Sequence, residues 1–290
     1  MNTPQAFSVS GLVIEITSRS GHVTRALDEV DLALEHGRSL AIVGESGAGK
    51  STLASVLGRL EPALARKVAG SVHVAGQDVY SLDKKGMRAL RHTRLGFVSQ
   101  DPIGSLNPTM RIGRQLALVL KSYGRRADKS DTAELLSEMR IADPERALRL
   151  YPHEVSGGMA QRIAIALALI SRPALLIADE PTAALDSNVR EEVIRLLFDR
   201  ARAAGTSIVW LSHDLSAVSR WCDEIAVMRA GRVVERGITR EVFAHPAHRY
   251  TAALMAADPA RARPGERLRT IDDFTDAEFA TGQSQRGTAE

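Results

Sequence analysis

Three short runs of the chain are almost wholly apolar: residues 39–43 (SLAIV), 174–178 (ALLIA) and 207–211 (SIVWL). Continuous runs of this length fit strands buried on both faces, as in a parallel sheet. Each stops at glycine or polar side chains, namely Gly44, Asp179-Glu180 and Ser212-His213. Between them the pattern has a helical period, over 51–60, 159–170 and 189–203. Strands alternating with helices predict an α/β, doubly wound core. Ligands of such sheets gather beyond the carboxyl ends of the strands, which is where the polar stops fall.

Other stretches follow a different pattern. Residues 12–17 (LVIEIT) and 71–80 (SVHVAGQDVY) are strand-like with turn residues between, and predict a small antiparallel β layer. Residues from about 104 to 158 carry polar helical patterns without a buried strand, and read as an inserted helical subdomain. Residues 241–257 (EVFAHPAHRYTAALMAA) read as a short helical extension. From Asp258 onward the chain is polar, with Pro264 and Gly265, and is expected to be mobile or loosely docked. The division expected is a domain over 1–240 and a partly flexible extension over 241–290. No internal repeat is visible.

Composition changes this picture little. The 290 residues are 44% hydrophobic and 25% charged, which is ordinary for a globular chain. Lys plus Arg total 38 against 35 Asp plus Glu, a net charge of +3. So small an excess argues against a dedicated nucleic-acid binder. One cysteine, Cys222, excludes an intrachain disulfide and a Cys-based zinc site, and fits a reducing compartment. The first residues lack a positive segment before an apolar core, so no signal peptide is expected. The most apolar helix, over 163–170, stops at Ser171, Arg172 and Pro173, far short of the roughly 20 residues a spanning helix needs.

The candidate chemistry begins in the loop after residue 43. Gly44, Glu45, Ser46, Gly47, Ala48, Gly49, Lys50, Ser51 and Thr52 match G-x-x-x-x-G-K-[ST], in the strand-to-helix context that such a phosphate loop requires. Small residues let successive N–H groups curl round phosphates, and the helix dipole favours their charge. Lys50 would reach the β- and γ-phosphates, and Ser51 would hold Mg²⁺. Asp179 and Glu180 are adjacent, so they point in different directions and cannot share one task. Asp179 suits the metal; Glu180 would polarise an attacking water. Gln100, after LGFVSQ, can contact metal or water, and His213 the γ-phosphate. A second glycine-bearing helix start, YPHEVSGGMAQR over 151–162, places Ser156 as a cap before Gly157 and Gly158. Ile163, Leu167 and Ile170 give that helix an apolar face.

Taken together these residues resemble the nucleotide-binding subunits of ATP-binding cassette (ABC) transporters. GESGAGKST is similar to the Walker A motif, LLIADEP to Walker B, SQD at 99–101 to the Q-loop and SHD at 212–214 to the switch-histidine loop. AALD at 183–186 resembles the D-loop and VSGGM at 155–159 the family signature. The resemblance spans about 12–240 and implies a P-loop, RecA-like core with an antiparallel β layer and an inserted helical subdomain. It implies ATP and Mg²⁺, with Glu180, His213 and Gln100 catalytic, and Ser51, Gln100 and Asp179 at the metal. It also implies two cassettes, identical or paralogous, with two ATP molecules sandwiched head-to-tail. Ser156, Gly157, Gly158 and Asp186 would then contact the nucleotide held by the other subunit.

A narrower resemblance, in YPHEVSGGMAQR, SLNPTMRIGRQL and HPAHRYTAALMAADP, is to the branch that energises dipeptide, oligopeptide and nickel importers. It implies two separate permease subunits, an extracytoplasmic substrate-binding protein, and a peripheral place on the cytoplasmic face of the inner membrane. Several features depart from the pattern. The signature has Val155 and Met159 where Leu and Gln are common. No aromatic residue lies between Phe7 and the phosphate loop to stack on adenine, leaving His22 as a substitute. No cysteine cluster follows the cassette, which excludes an iron–sulfur site. The alternative reading is a soluble ABC ATPase of a non-transport assembly, such as the carbon–phosphorus lyase machinery. A nucleic-acid-linked ABC ATPase would show a long coiled-coil insertion or two fused cassettes, and neither is present.

Overall fold

The computed structural model describes residues 4–183 and 185–258. The chain opens with β1 (Gln5–Thr17) and β2 (Val23–Glu35), paired antiparallel with Leu12 opposite Val30. Along β2, Leu27, Val30, Leu32 and Leu34 are buried between more exposed neighbours, the mark of a sheet with one face in the core. β3 (Ser39–Val43) leads into α1 (Lys50–Leu57), and β4 (Ala65–Val74) and β5 (Gln77–Asp78) return to the first sheet. Its order is β2-β1-β4-β5, antiparallel throughout. This is the expected antiparallel layer.

The next elements are α2 (Lys84–Arg94), β6 (Leu95–Val98), and then α3 (Ile112–Ser122), α4 (Lys129–Glu138) and α5 (Pro144–Ala147). No strand interrupts residues 104–158, as the polar helical pattern predicts. α6 (Gly157–Leu169), β7 (Leu175–Asp179), α7 (Ser187–Ala203) and β8 (Ser207–Leu211) complete the alternation, followed by α8 (Leu215–Trp221). β9 (Glu224–Arg229), β10 (Arg232–Ile238), α9 (Thr239–Ala244) and α10 (Arg249–Ala256) close the described chain. The expected tail beyond Asp258 lies outside the described residues.

The second sheet has the order β10-β9-β3-β8-β7-β6. β9, β3, β8, β7 and β6 are parallel and only β10 runs against its neighbour. β9 and β10 are additions to the strands that the apolar runs predict. The apolar centre of β9, Ile225–Met228, is only four residues long between Glu224 and Arg229, and pairing with β3 makes it a strand.

Burial on both faces explains the uninterrupted apolar runs. Ala41, Val43, Leu176, Ala178, Ile208 and Trp210 face a core shared with α6 and α7. Their neighbours Leu40, Ile42, Leu175, Ile177, Val209 and Leu211 face α1 and the antiparallel sheet. Phe198 of α7 meets Trp210 edge-on, with ring centroids 5.5 Å apart. Helix α6 is more deeply sunk than one apolar face requires: Ala160, Ile163, Ala164, Ile165, Ala166 and Leu169 are all buried. α1 ends earlier than its pattern suggests. Arg91 of α2 donates to the carbonyls of Gly58 and Arg59 at 2.7 and 2.6 Å, fixing the chain as it leaves the helix.

Candidate functional site

β3, β8, β7 and β6 run parallel and lie side by side, so their carboxyl ends share one edge. Chain order alone then delivers four loops to that edge: the phosphate loop, Ser212-His213, Asp179-Glu180 and Ser99-Gln100. The strand ends are tied across the sheet as well. Glu180 N–H donates to the Leu211 carbonyl at 3.0 Å, and Ser212 N–H to that of Ile42 at 3.3 Å.

The phosphate loop is shaped by close backbone approaches. A Cβ on Gly44 would sit 2.2 Å from the Met228 carbonyl oxygen, and one on Gly49 2.7 Å from that of Ala26. Glycine is therefore required at both, and the loop lies hard against β9 and β2. Gly49 starts α1 with φ of 100° and no side-chain cap. The starts of α6, α7 and α8 are instead closed by Ser156, Asp186 and Asp214. The first N–H groups of α1 are thus left for an anion, at the positive end of the helix dipole.

Lys50 Nζ donates to the carbonyls of Gly44 at 2.7 Å and Glu45 at 2.8 Å. Burial pulls its ammonium below the ordinary lysine range, against the pull of Glu180, Asp179 and Glu45. Burial pushes the Asp179 carboxyl up, and the Glu180 charge adds to this. A hydrogen bond from Ser51 and the charge of Lys50 offset it only in part. Asp179 is a carboxylate short of positive charge. Ser51 and Asp179, two hard oxygen donors already in contact, match what a phosphate-bound Mg²⁺ takes from a protein. No cluster of three His, Cys, Asp or Glu suited to a metal occurs among the described residues, so phosphate oxygens would complete the shell.

Glu180 turns away from Asp179. Its Oε2 lies 3.2 Å from Nδ1 of His213, an exposed side chain. Gln100 follows edge strand β6, is exposed, and stands beside the end of β7. His22 lies in the exposed β1–β2 turn, where its backbone bonds Ser18.

The remaining expected residues occupy a second place. Ser156, Gly157, Gly158 and Asp186 line a cavity of about 370 Å³ with Arg162 and Val189. None of Lys50, Ser51, Asp179, Glu180 or His213 borders it. Ser156 accepts a hydrogen bond from Met159 N–H at 3.3 Å, as the sequence suggests for a cap. Gly158 has a packing role too: a Cβ there would lie 2.7 Å from Val189 Cγ1. A larger cavity of about 510 Å³, between α4, α6 and α7, holds none of the expected residues, so size does not mark the site.

Two contributors escape the motifs. Arg190 of α7 bonds the Leu185 carbonyl at 3.3 Å and pairs with Asp214 at 3.6 Å, joining the segment before α7 to the histidine loop. Tyr250 of α10 accepts a hydrogen bond from Glu45 N–H at 3.2 Å. In the sequence the second is only one of two aromatic residues in the short helical extension, and nothing local singles it out.

A family model described as ABC transporter matches residues 27–183. A probable peptide ABC transporter ATP-binding protein, y4tR of Sinorhizobium fredii, is 45% identical over 83% of this chain and 73% of its own length. The probable D,D-dipeptide transport ATP-binding protein DdpD of Escherichia coli is 40% identical over 93% and 83%. The oligopeptide transport ATP-binding protein OppD of the same organism is 39% identical over 91% and 79%. Among solved structures, the ATP-binding cassette MJ0796, a dimer in a post-hydrolysis state with ADP and Pi, aligns with TM-score 0.70 and 27% identity, over 81% of this chain and 99% of that one. The cbiO1 subunit of the Clostridium perfringens cbiONQ complex aligns with TM-score 0.69 and 28% identity, over 83% and 92%.

Proposed function

The chain belongs to the ABC transporter family of ATP-binding proteins, in its peptide-importer branch, and from that membership we propose that it is the ATP-hydrolysing subunit of an importer for peptides, or for nickel or other metal chelates, working through separate permease subunits. One observation carries the reading: the phosphate loop, the Ser51–Asp179 contact and the Glu180–His213 pair meet at one edge of one parallel sheet. The similar proteins act in peptide transport by name, which favours this over the carbon–phosphorus lyase-like alternative.

The α1 N–H groups and Lys50 would bind the phosphates. Ser51, Asp179 and Gln100 would hold Mg²⁺, which supplies charge neutralisation on the β- and γ-phosphates. Glu180 would orient and polarise the water that attacks phosphorus. His213, on the Glu180 carboxylate, would keep that carboxylate aimed and contact the γ-phosphate. Because attack in phosphoryl transfer leaves little covalent work for the protein, placement and charge are most of the catalysis.

The helix start at Ser156, Gly157 and Gly158, with Asp186, borders none of this machinery in its own chain. We take it as the half-site for the nucleotide of a second cassette, so that ATP closes a dimer and hydrolysis opens it. Two permease subunits and an extracytoplasmic substrate-binding protein would complete the assembly. The chain would sit peripherally on the cytoplasmic face of the membrane, as an ATP-binding subunit working through separate permeases; no described helix is long and apolar enough to cross a membrane. The ATPase domain is taken as 1–240, with the helical insert over about 104–158 and an extension over 241–290.

The test is Glu180→Gln. It is expected to lower ATP turnover by about a hundredfold or more while leaving ATP binding and the ATP-held dimer intact. Near-normal phosphate release by this variant would remove Glu180 from its role.

A further inference from the structure

We propose that Tyr250 is a positioning residue for ATP: its hydroxyl fixes the peptide group between Gly44 and Glu45, and thereby the carbonyl on which Lys50 rests. This rests on the ATPase reading and extends it to a residue outside the phosphate loop and every strand-end motif.

That one peptide group is gripped at both ends. Its N–H donates to the Tyr250 hydroxyl at 3.2 Å, and its carbonyl, on Gly44, accepts from Lys50 Nζ at 2.7 Å. A peptide unit is planar and stiff, so turning one end turns the other. Gly44 has φ of 149° and no Cβ, so no side chain of its own holds this plane. The Tyr250 hydroxyl opposes its rotation.

Tyr250 is itself firmly held. It is fully buried, and the Arg229 guanidinium lies 5.2 Å from its ring centroid. His248 Nδ1 accepts from Tyr250 N–H at 3.1 Å and caps α10. The two carboxylate oxygens of Glu235 accept from Ala247 N–H at 2.7 Å and His248 N–H at 3.0 Å. Glu235 belongs to β10, β10 pairs with β9, and β9 pairs with β3, which feeds the loop. The contacts therefore close a ring from β3 through the loop, Tyr250, Glu235 and β9 back to β3. Burial pushes the phenol up to about 12, and the Glu45 charge adds to it, so the hydroxyl keeps its proton at physiological pH. A neutral hydroxyl can accept from the Glu45 N–H while donating to the Glu45 carboxylate.

ATP binding and hydrolysis by the full chain are compared for wild type, Tyr250→Phe and Glu235→Ala. Tyr250→Phe keeps the ring and removes the hydroxyl. It is expected to raise KM and Kd for ATP about three- to tenfold, the scale of one lost hydrogen bond. kcat should stay within about twofold, and the melting temperature without nucleotide should fall by no more than about 4 °C. The Glu45 amide resonance should shift and lose protection from exchange. Glu235→Ala loosens the turn before α10 but leaves the hydroxyl, and should raise KM by less. Unchanged ATP affinity and an unchanged Glu45 amide in Tyr250→Phe would overturn the proposal. So would a lowered melting temperature with wild-type affinity in the folded protein, which would mean packing alone. Should Tyr250→Phe fail to fold, Glu235→Ala decides by the same KM criterion. Failure of the wild type to bind ATP would overturn the ATPase reading and this proposal with it.

Discussion

Glu180 has φ of 43°, in the left-handed region where a side chain costs about 1–2 kcal/mol. The cost is met by its surroundings: the Leu211 carbonyl holds its N–H, Ala183 N–H bonds its carbonyl at 3.2 Å, and His213 meets its carboxylate. The twist takes Glu180 out of line with β7 and gives the adjacent carboxylates different neighbours, Ser51 for one and His213 for the other. Gly44 and Gly47 show how far residue type alone can be read. Both have positive φ, but a Cβ on Gly47 meets nothing within 4 Å, whereas one on Gly44 would be driven into backbone. Gly47→Ala is expected to cost about 1 kcal/mol. Gly44→Ala should cost about 2 kcal/mol or more and abolish ATP binding. Chemical denaturation and nucleotide titration of the two variants check this; equal losses would mean that the Met228 contact is unimportant. The motif asks for Gly44 and leaves the Gly47 position open. The physical reason for the difference appears only with β9 in place, a strand that the apolar runs do not announce.

Among the elements, α6 shows why two helix starts that look alike in sequence behave differently. Ser156 closes the end of α6, while α1 is left bare. Glu154 accepts from Tyr151 N–H at 2.7 Å and Pro152 is buried, so YPHE forms a short turn that fixes the approach to Ser156. Arg162 then clamps α6 to its neighbours, through Glu192 at 2.7 Å and the Arg140 carbonyl at 2.8 Å. The two sheets are joined by a comparable clamp. Asp28 of β2 pairs with Arg232 and with Arg25 at 2.5 and 2.9 Å, and its N–H donates to the Gly231 carbonyl. The Arg232 hydrogen bond holds its carboxyl below the ordinary aspartate range. A depressed folded value means that the stability it adds is fully present above the unfolded pKa and is lost as pH falls through the folded one. Asp28→Asn should therefore melt about 2 °C lower than wild type at neutral pH, an effect of partly screened ion pairs. The gap should narrow as pH falls below about 4 and through the depressed folded value. A gap independent of pH, measured by thermal melts from pH 8 to about pH 2, would assign the effect to packing.

At the scale of the whole molecule, the chain carries at one sheet edge the groups proposed to bind a triphosphate and, elsewhere, a helix start whose cavity they do not border. Ser156→Arg is expected to leave ATP affinity within about twofold of wild type and to abolish the ATP-dependent dimer, because a bulky cation would fill the cavity proposed for the second nucleotide. Light scattering with Glu180→Gln in the background, so that ATP persists, checks it. Equal loss of ATP binding would make the stretch local structure.

The sequence by itself determined the alternating α/β core, the antiparallel layer and the helical insert, and it marked out the candidate phosphate loop and acidic pair. These are legible because they are local: a strand buried on both faces must be apolar along its length, and a phosphate loop must be small and glycine-rich over consecutive positions. The tertiary structure decided what depends on contacts between distant segments. It added β9 and β10 to the sheet, buried α6 on more than its one apolar face, set Glu180 against His213, and brought Tyr250 to a peptide 205 residues earlier in the chain. No local pattern encodes such contacts, since each is fixed by how whole strands and helices stack, and a buried tyrosine in a short helix has the same sequence signature whether its hydroxyl meets solvent or the nucleotide loop.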